Sequence, residues 1–446
     1  MKKLLLSIVL LTSVAASHAQ WTQQNTGFTA PSRGISDIEI VDANTVWALA
    51  YDGASTTNVI REFTRTTNGG ATWTPGTISA PAGMTITNIS PVSATTAWAG
   101  FVNSTAGFGG IMKTTDGGVT WTEQNADAYD GTGAYFNFVH FFDAQNGVSM
   151  GDPVGNDFEI WYTTNGGTTW NEPSAFNIPP FETNEFGYTG SFETFGDAIW
   201  FTTSTGRLYR SLNKGINWTA HDTPVADFGG AIVPTSRGTL HVANANTGVI
   251  LGTANTGTSY TLYTSTNLST GNPITWTAST WNGGPYTILT YIPGSTALVG
   301  VSSAQTGGGS AYSTNNGATW IPIDTGTQRT AVDFLNGTTG WSGGFSTNST
   351  TGGIYKYTGA ALRVNDVASQ PAIAASPNPT NGLVRLNGAT INEVAVYDLL
   401  GKQVYASSFD AMSEVEIDLS SLQTGAYMLK ATSDTGAVKT IKIMKN

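Results

Sequence analysis

Six times between Thr66 and Trp320 the chain repeats one short phrase: a hydroxyl residue, then Asn or Asp, then Gly, and finally Trp. The clearest copies are Thr66-Thr67-Asn68-Gly69-Gly70-Ala71-Thr72-Trp73, Thr114 to Trp121 with Asp116, and Thr163 to Trp170 with Asn165. Ser211 to Trp218 and Ser313 to Trp320 are variants, and Ser265 to Trp276 is an expanded copy. Successive Trp residues stand 48, 49, 48, 58 and 44 residues apart. A unit of about fifty residues cannot bury its own apolar face, so it stacks on copies of itself, and this period with short strands is that of propeller blades.

Each box follows a β-rich stretch with alternating apolar residues, such as Ile35 to Leu49, Ile86 to Phe101, Phe136 to Met150 or Thr330 to Phe345. Within the box, Asp or Asn closes a tight turn through its side chain, Gly supplies positive φ, and Trp fills the gap between units. That chemistry accounts for the spacing without a ligand. Trp21-Thr22-Gln23-Gln24-Asn25 echoes Trp121-Thr122-Glu123-Gln124-Asn125, the strand that follows a box, whereas the last unit, Thr330 to Tyr357, has no box Trp. The expectation is therefore an all-β, seven-bladed β-propeller over residues 20–360, its N-terminal strand closing the last blade and removing a sheet edge. Trp21, Trp73, Trp121, Trp170, Trp218, Trp276 and Trp320 mark the seven blades. Six or eight blades stay open alternatives, because Ala220 to Trp281 is irregular.

Lys2 and Lys3 precede an apolar run from Leu4 to Ala16, and Ser17-His18-Ala19 supplies small residues at a cleavage position. Residues 1–19 read as a secretory signal peptide, too short to stay in a bilayer, which leaves no transmembrane segment in the mature chain. Removing those two lysines takes the net charge from −11 to −13. Nucleic acid and anionic membranes both require cations from the protein, so neither is an expected partner. With no Cys, and with His140, His221 and His241 scattered singly, no metal cage or cofactor is expected. Neither a calcium loop nor a phosphate loop is spelled out.

The boxes resemble the Asp-box, or BNR, repeats of sialidases, sortilin-type receptors and photosystem II assembly factors of the Ycf48 type, and the unit is most similar to the Ycf48-like set. The likeness covers Trp21 to Tyr357. It implies the propeller fold, and it spans enzymes, receptors and assembly factors alike. The sialidase pattern of three substrate-clamping arginines has no match here. Arg33 is followed by Gly34-Ile35, and Arg207 and Arg210 lie beside a box, where blade-edge salt bridges are expected.

Beyond Tyr357 the pattern stops. Residues 361–375 read as a linker, and Ser376-Pro377-Asn378-Pro379 opens a run of alternating strands suited to a small C-terminal β-sandwich, residues 376–446. This tail resembles the type A C-terminal sorting domain of the type IX secretion system. The likeness is carried by the Pro-Asn-Pro opening, Val396-Tyr397-Asp398-Leu399-Leu400-Gly401-Lys402, Leu422 to Lys430, and the basic end from Lys442 to Asn446. It implies type IX secretion machinery as a partner and a secreted or cell-surface location.

Between Thr114 and Gly206 there is no Lys or Arg, yet thirteen carboxylates fall there. Two long loops lie in the same sector, Asn125 to Tyr135 and Glu172 to Tyr188. Long rim loops build binding faces, and carboxylates beside aromatic rings suit a sugar or a cation. Asp130, Tyr135, Asp152, Phe181, Glu182, Glu185 and Tyr188 are the candidate ligand-binding residues. The expected function is non-enzymatic binding of an extracellular protein or glycan. The alternatives are a glycoside hydrolase using Asp152 and Glu185 as its carboxylate pair, and a structural or adhesion surface protein. A solvated acidic rim that merely keeps an exported protein soluble competes with all three.

Overall fold

A computed structural model describes residues 20–103, 105, 107–124, 128–129, 134–254, 259–362, 373–398, 402–433 and 438–446. The chain divides into two compact units, one up to Val364 and one from Asn365.

Among the described residues the first unit forms a series of antiparallel blades consistent with seven, the last and the first joined into one sheet through Gly34 opposite Phe345. Their inner strands are Arg33–Ile40, Thr85–Pro91, Phe136–Phe141, Gly187–Phe195, Ser236–Val242, Ile288–Tyr291 and Ala331–Asn336. Each inner strand packs against the next, and the seventh packs against the first, so the ring is closed. Trp21–Asn25 forms the outer strand of the last blade, antiparallel to Thr351–Tyr357, with Trp21 opposite Tyr357 and Asn25 opposite Gly353. The ends of the propeller are zipped together as the Trp21 echo predicts. Trp21 is 6% exposed, stands edge-on to Phe334 and Tyr357, and donates from Nε1 to Ser310 Oγ at 2.8 Å.

Turn chemistry in the boxes is the same whether the third residue is an acid or an amide. Asn68 Oδ1 accepts from the Thr72 amide at 2.9 Å, and its Nδ2 donates to Thr72 Oγ1 at 2.9 Å. Asp116 makes the equivalent bonds, accepting from the Thr120 amide at 2.9 Å and from Thr120 Oγ1 at 2.6 Å. Gly69 and Gly70 adopt φ of 66° and 87°, a region that penalises a Cβ.

Four blades add a cross-strand device. Trp47, Trp98, Trp200 and Trp341, all 0% exposed, lie directly opposite Arg65, Lys113, Arg210 and Lys356. Each cation reaches past its own blade to a backbone carbonyl of the next one. Lys113 donates to Gly166 at 2.6 Å, Lys356 to Gly69 at 2.7 Å, Arg210 to Leu268 at 2.8 Å and Gly271 at 3.1 Å, and Arg65 to Ala94. Arg210 thus serves a backbone clasp in place of the expected salt bridge, because the carbonyls of the next blade's box point at it.

Blade three has only three regular strands, and the reason is a matter of parity. Tyr162 and Asn171 exchange both backbone bonds at 2.9 and 2.8 Å. The next residue whose N–H faces the third strand is residue 173, a proline, so the outer strand ends after one bridge. Pro75 and Pro322 stand one position earlier after their box Trp, at non-donating positions, and their outer strands survive.

Among the described residues the second unit has five strands: Ala374–Ser376, Leu383–Tyr397, Gln403–Asp418, Gly425–Ser433 and Val438–Lys445. Where alternation suggests separate short strands, the structure has two long ones, with register shifts near Asn387 and Ile391, and Leu383–Tyr397 pairs with three neighbours in one sheet. Val384, Leu386, Ile391, Val394, Val396, Val415, Ile417 and Leu429 close its own core.

Candidate functional site

Because strands alternate in direction, the loops that enter each inner strand share one face of the ring with the turns between second and third strands. The boxes lie on the other face. The long connection 172–186 belongs to the first of these, and so do most of the candidate residues.

Asp152 stands near the end of the second strand of blade three, Gly147–Val154. Its Oδ1 accepts from Asn137 Nδ2 at 2.6 Å and from the Gly187 amide at 2.9 Å, so it ties blade three to blade four. Burial pushes its carboxyl up to about 6, against those hydrogen bonds. The Tyr135 carbonyl accepts from the Asp152 amide at 2.8 Å. Asp130 lies outside the described residues.

Glu185 is buried, at 3% exposed. Its Oε2 accepts from Arg207 Nη1 at 2.8 Å and from the Glu182 amide at 2.8 Å, while its Oε1 accepts from Thr203 Oγ1 at 2.7 Å. It is the buttress of its loop. Phe181 packs onto the core shared by blades three and four, and exposed Glu182 lies 4.0 Å from Arg207 Nε. Tyr188 donates its hydroxyl to Asp227, and burial together with that carboxylate pushes the phenol up to about 12. The candidates therefore form three neighbourhoods: Asp152 with Asn137, Phe181 to Glu185 around Arg207, and Tyr188 with Asp227.

One group of ionisable residues escaped the sequence reading. Asp37 and Glu39 on the first inner strand, Glu193 on the fourth and Asp333 on the seventh face one another across the ring axis. Blades one and four are not neighbours, so their carboxylates meet only in the central channel. Burial raises Asp333 to about 7 and Asp37 to about 6, and it raises Glu39 well above the carboxylate range, with Asp37, Asp333 and Glu193 adding repulsion. His241 Nδ1 sits 3.4 Å from Glu193 Oε1, and Thr290 Oγ1 lies 3.4 Å from Asp333 Oδ1. These carboxylates come from three separate stretches of alternating strand, where each reads as an ordinary polar-face residue. Among the described residues no three His, Asp or Glu side chains converge as a metal-ligand set, and no helix is long and apolar enough to cross a membrane.

Comparison with known proteins fits this architecture. Residues 84–269 match the family model of the photosynthesis system II assembly factor YCF48, and residues 375–446 match that of the secretion system C-terminal sorting domain. Among solved structures, YCF48 bound to D1 peptide is 14% identical, covering 77% of this chain and 98% of its own, with a TM-score of 0.52. YCF48 from Cyanidioschyzon merolae is 15% identical, covering 76% and 99%, with a TM-score of 0.51. An ancestral GH74 enzyme is 12% identical over 94% of this chain and 63% of that one, with a TM-score of 0.50. At these identities the likeness shows the fold alone. No curated protein matches the sequence. The sorting domain addresses the chain to a secretion system. Over residues 84–269 the chain is thus similar to the photosynthesis system II assembly factor YCF48, whose β-propeller fold it shares, and over residues 375–446 it is similar to a secretion-system C-terminal sorting domain.

Proposed function

We propose that the protein is a non-enzymatic binding propeller, exported to the cell surface or beyond, that takes a protein or glycan ligand on the loop face of blades three and four. The observation that carries this reading is the fate of the cations. Every described Lys and Arg of the propeller is engaged internally. Arg33 pairs with Asp52 and Glu62, Arg207 with Glu185, Lys214 with Asp143 and Asp197, and Arg329 with Asp324. Arg61 and Arg237 donate to backbone carbonyls, as do the four clasp residues. The loop face is left with carboxylates and aromatic rings, which accept hydroxyl or ammonium groups and offer a stacking surface. The propeller of YCF48 was solved with a peptide bound, so the architecture is capable of such a role.

Hydrolysis is disfavoured by the state of the acids. Asp152 has the raised protonation of a general acid, but both Glu185 oxygens are held by Arg207, Thr203 and the Glu182 amide, so Glu185 is not free to serve that pair as base or nucleophile. The leaderless full chain should retain a glycan or protein on an array and in a pull-down without releasing sugar from polysaccharides. Binding unaltered by joint Asp130→Asn, Asp152→Asn and Glu182→Gln would reject the face, and sugar release abolished by Asp152→Asn would replace the reading with the enzymatic one.

A further inference from the structure

The repeat is broken most visibly at two places, and the fold brings them together. The first is the connection 172–186, the longest between an outer strand and the following inner strand. The second is the expanded box Ser265 to Trp276, four residues longer than the copy from Thr66 to Trp73. They come from different blades and meet over the outer strand of blade four, Trp218–Asp222, where they wall a groove of about 480 Å³. Pro180, Phe181 and Glu182 form one side, Asn272 and Pro273 the other, and His221 and Asp222 the floor.

Both walls are fixed from a single strand. In Arg207–Ser211, Arg207 donates to the Pro180 carbonyl at 3.2 Å while Glu185 holds it at 2.8 Å, which pins the first insertion. Arg210 donates to Leu268 and Gly271 at 2.8 and 3.1 Å, which pins the second. Ordering two insertions against one strand costs conformational entropy that the ring does not need for closure. The floor also carries an unused polar atom. His221 is 7% exposed, and its Nε2 is 2.9 Å from Thr219 Oγ1, but its Nδ1 makes no hydrogen bond among the described residues. Burial, with Arg210 nearby, pushes this imidazole down to about 4, so it is neutral at ordinary pH.

We infer that this rim groove is a binding site for a neutral saccharide. It combines exposed acceptors on Glu182 and Asp222, a donor on Asn272, the free nitrogen of His221, and apolar platforms on Phe181 and Pro273. Sugar hydroxyls both donate and accept, and a pyranose ring has an apolar C–H face, so this mixed set suits a polyol. A basic peptide would meet Arg207, and an acidic polysaccharide would meet Glu182 and Asp222. The inference rests on the ligand-binding reading above and narrows it to a ligand class and a place.

The test is an array of neutral gluco-, manno- and xylo-oligosaccharides with the leaderless full chain, followed by calorimetry on the best ligand. The double variant Glu182→Gln with Asp222→Asn changes two exposed side chains and is expected to fold and to bind at least tenfold more weakly. Glu123→Gln, on the rim of blade two, is expected to bind as the parent does. Equal affinity in the folded double variant would overturn the groove and leave the wider binding reading standing. Capture of a peptide with no glycan bound would overturn the saccharide class, and no binding of any kind would overturn both readings.

Discussion

Lys356 Nζ, held over the ring of Trp341, donates to the Gly69 carbonyl at 2.7 Å and so clasps the last blade to the first. The same clasp, a cation stacked on the facing Trp of its own blade, joins blade two to blade three through Lys113 and Gly166. A charged hydrogen bond in a half-buried position is worth about 1.5–3 kcal/mol. Lys356→Met should therefore lower stability by about that amount, read from the urea midpoint at constant slope. A midpoint equal to the parent's would show that the clasp contributes nothing.

Glu185 is predicted to matter for stability. Glu185→Gln leaves Arg207, at 12% exposed, without its counter-charge and should cost about 3–5 kcal/mol. It should also open the 180–186 segment to proteolysis. A folded, unaltered Glu185→Gln that loses a hydrolytic activity would instead restore the catalytic reading of this carboxylate.

How far the sequence reached depended on whether a signal was local. The boxes were legible because Asn68 or Asp116 closes its own turn within a few residues, and the Trp21 echo was legible because the outer strand keeps its wording. Glu185 reads as a free acid in sequence because Arg207, which buries it, stands 22 residues further on. Asp37 and Asp333 cannot be joined by any pattern, since ring closure alone brings them together. Pro173 was readable in principle, but only by counting donor parity from the box Trp.

The central channel makes stability depend on pH. Asp37, Asp333 and Glu39 have folded-state pKa values raised above the unfolded ones, so the folded protein binds more protons than the unfolded chain across that interval. The contribution of these carboxyls is present in full below about pH 4 and is lost as pH rises through about 6 to 7, while His140, held down at about 4, works in the opposite direction between pH 4 and its ordinary 6.5. Glu193, with His241 beside it, and Thr290 neighbour these carboxylates, and burial holds His140 on the third inner strand down at about 4. Between pH 4.5 and 8 the melting temperature of the parent should fall relative to that of Asp333→Asn; parallel curves would remove Asp333 from the account.

The box acid is a turn residue. Hydrogen bonds from the Thr120 hydroxyl and amide lower Asp116 to about 2, so its contribution is present above pH 4 and disappears as pH falls through 2. Asp116→Asn should keep the neutral-pH melting temperature, as Asn does in the other boxes, whereas Asp116→Ala should lower it. Calcium should move neither. A calcium-dependent rise lost in Asp116→Asn would make the box a metal site.

Closure of the ring by the N-terminal strand underlies every placement above, and the absence of native Cys allows a clean test of it. Gln23 stands opposite Tyr355, and because Gln20 and Thr358 share a backbone bond three positions along, the Gln23–Tyr355 pair is of the close, non-hydrogen-bonded kind that a disulfide spans. Mild oxidation of the Gln23→Cys, Tyr355→Cys protein should give near-complete intramolecular cross-linking by mass spectrometry, with little in the off-register pair Gln24→Cys, Tyr355→Cys. Equal yields from the two pairs, or none from either, would contradict a ring zipped shut at this strand.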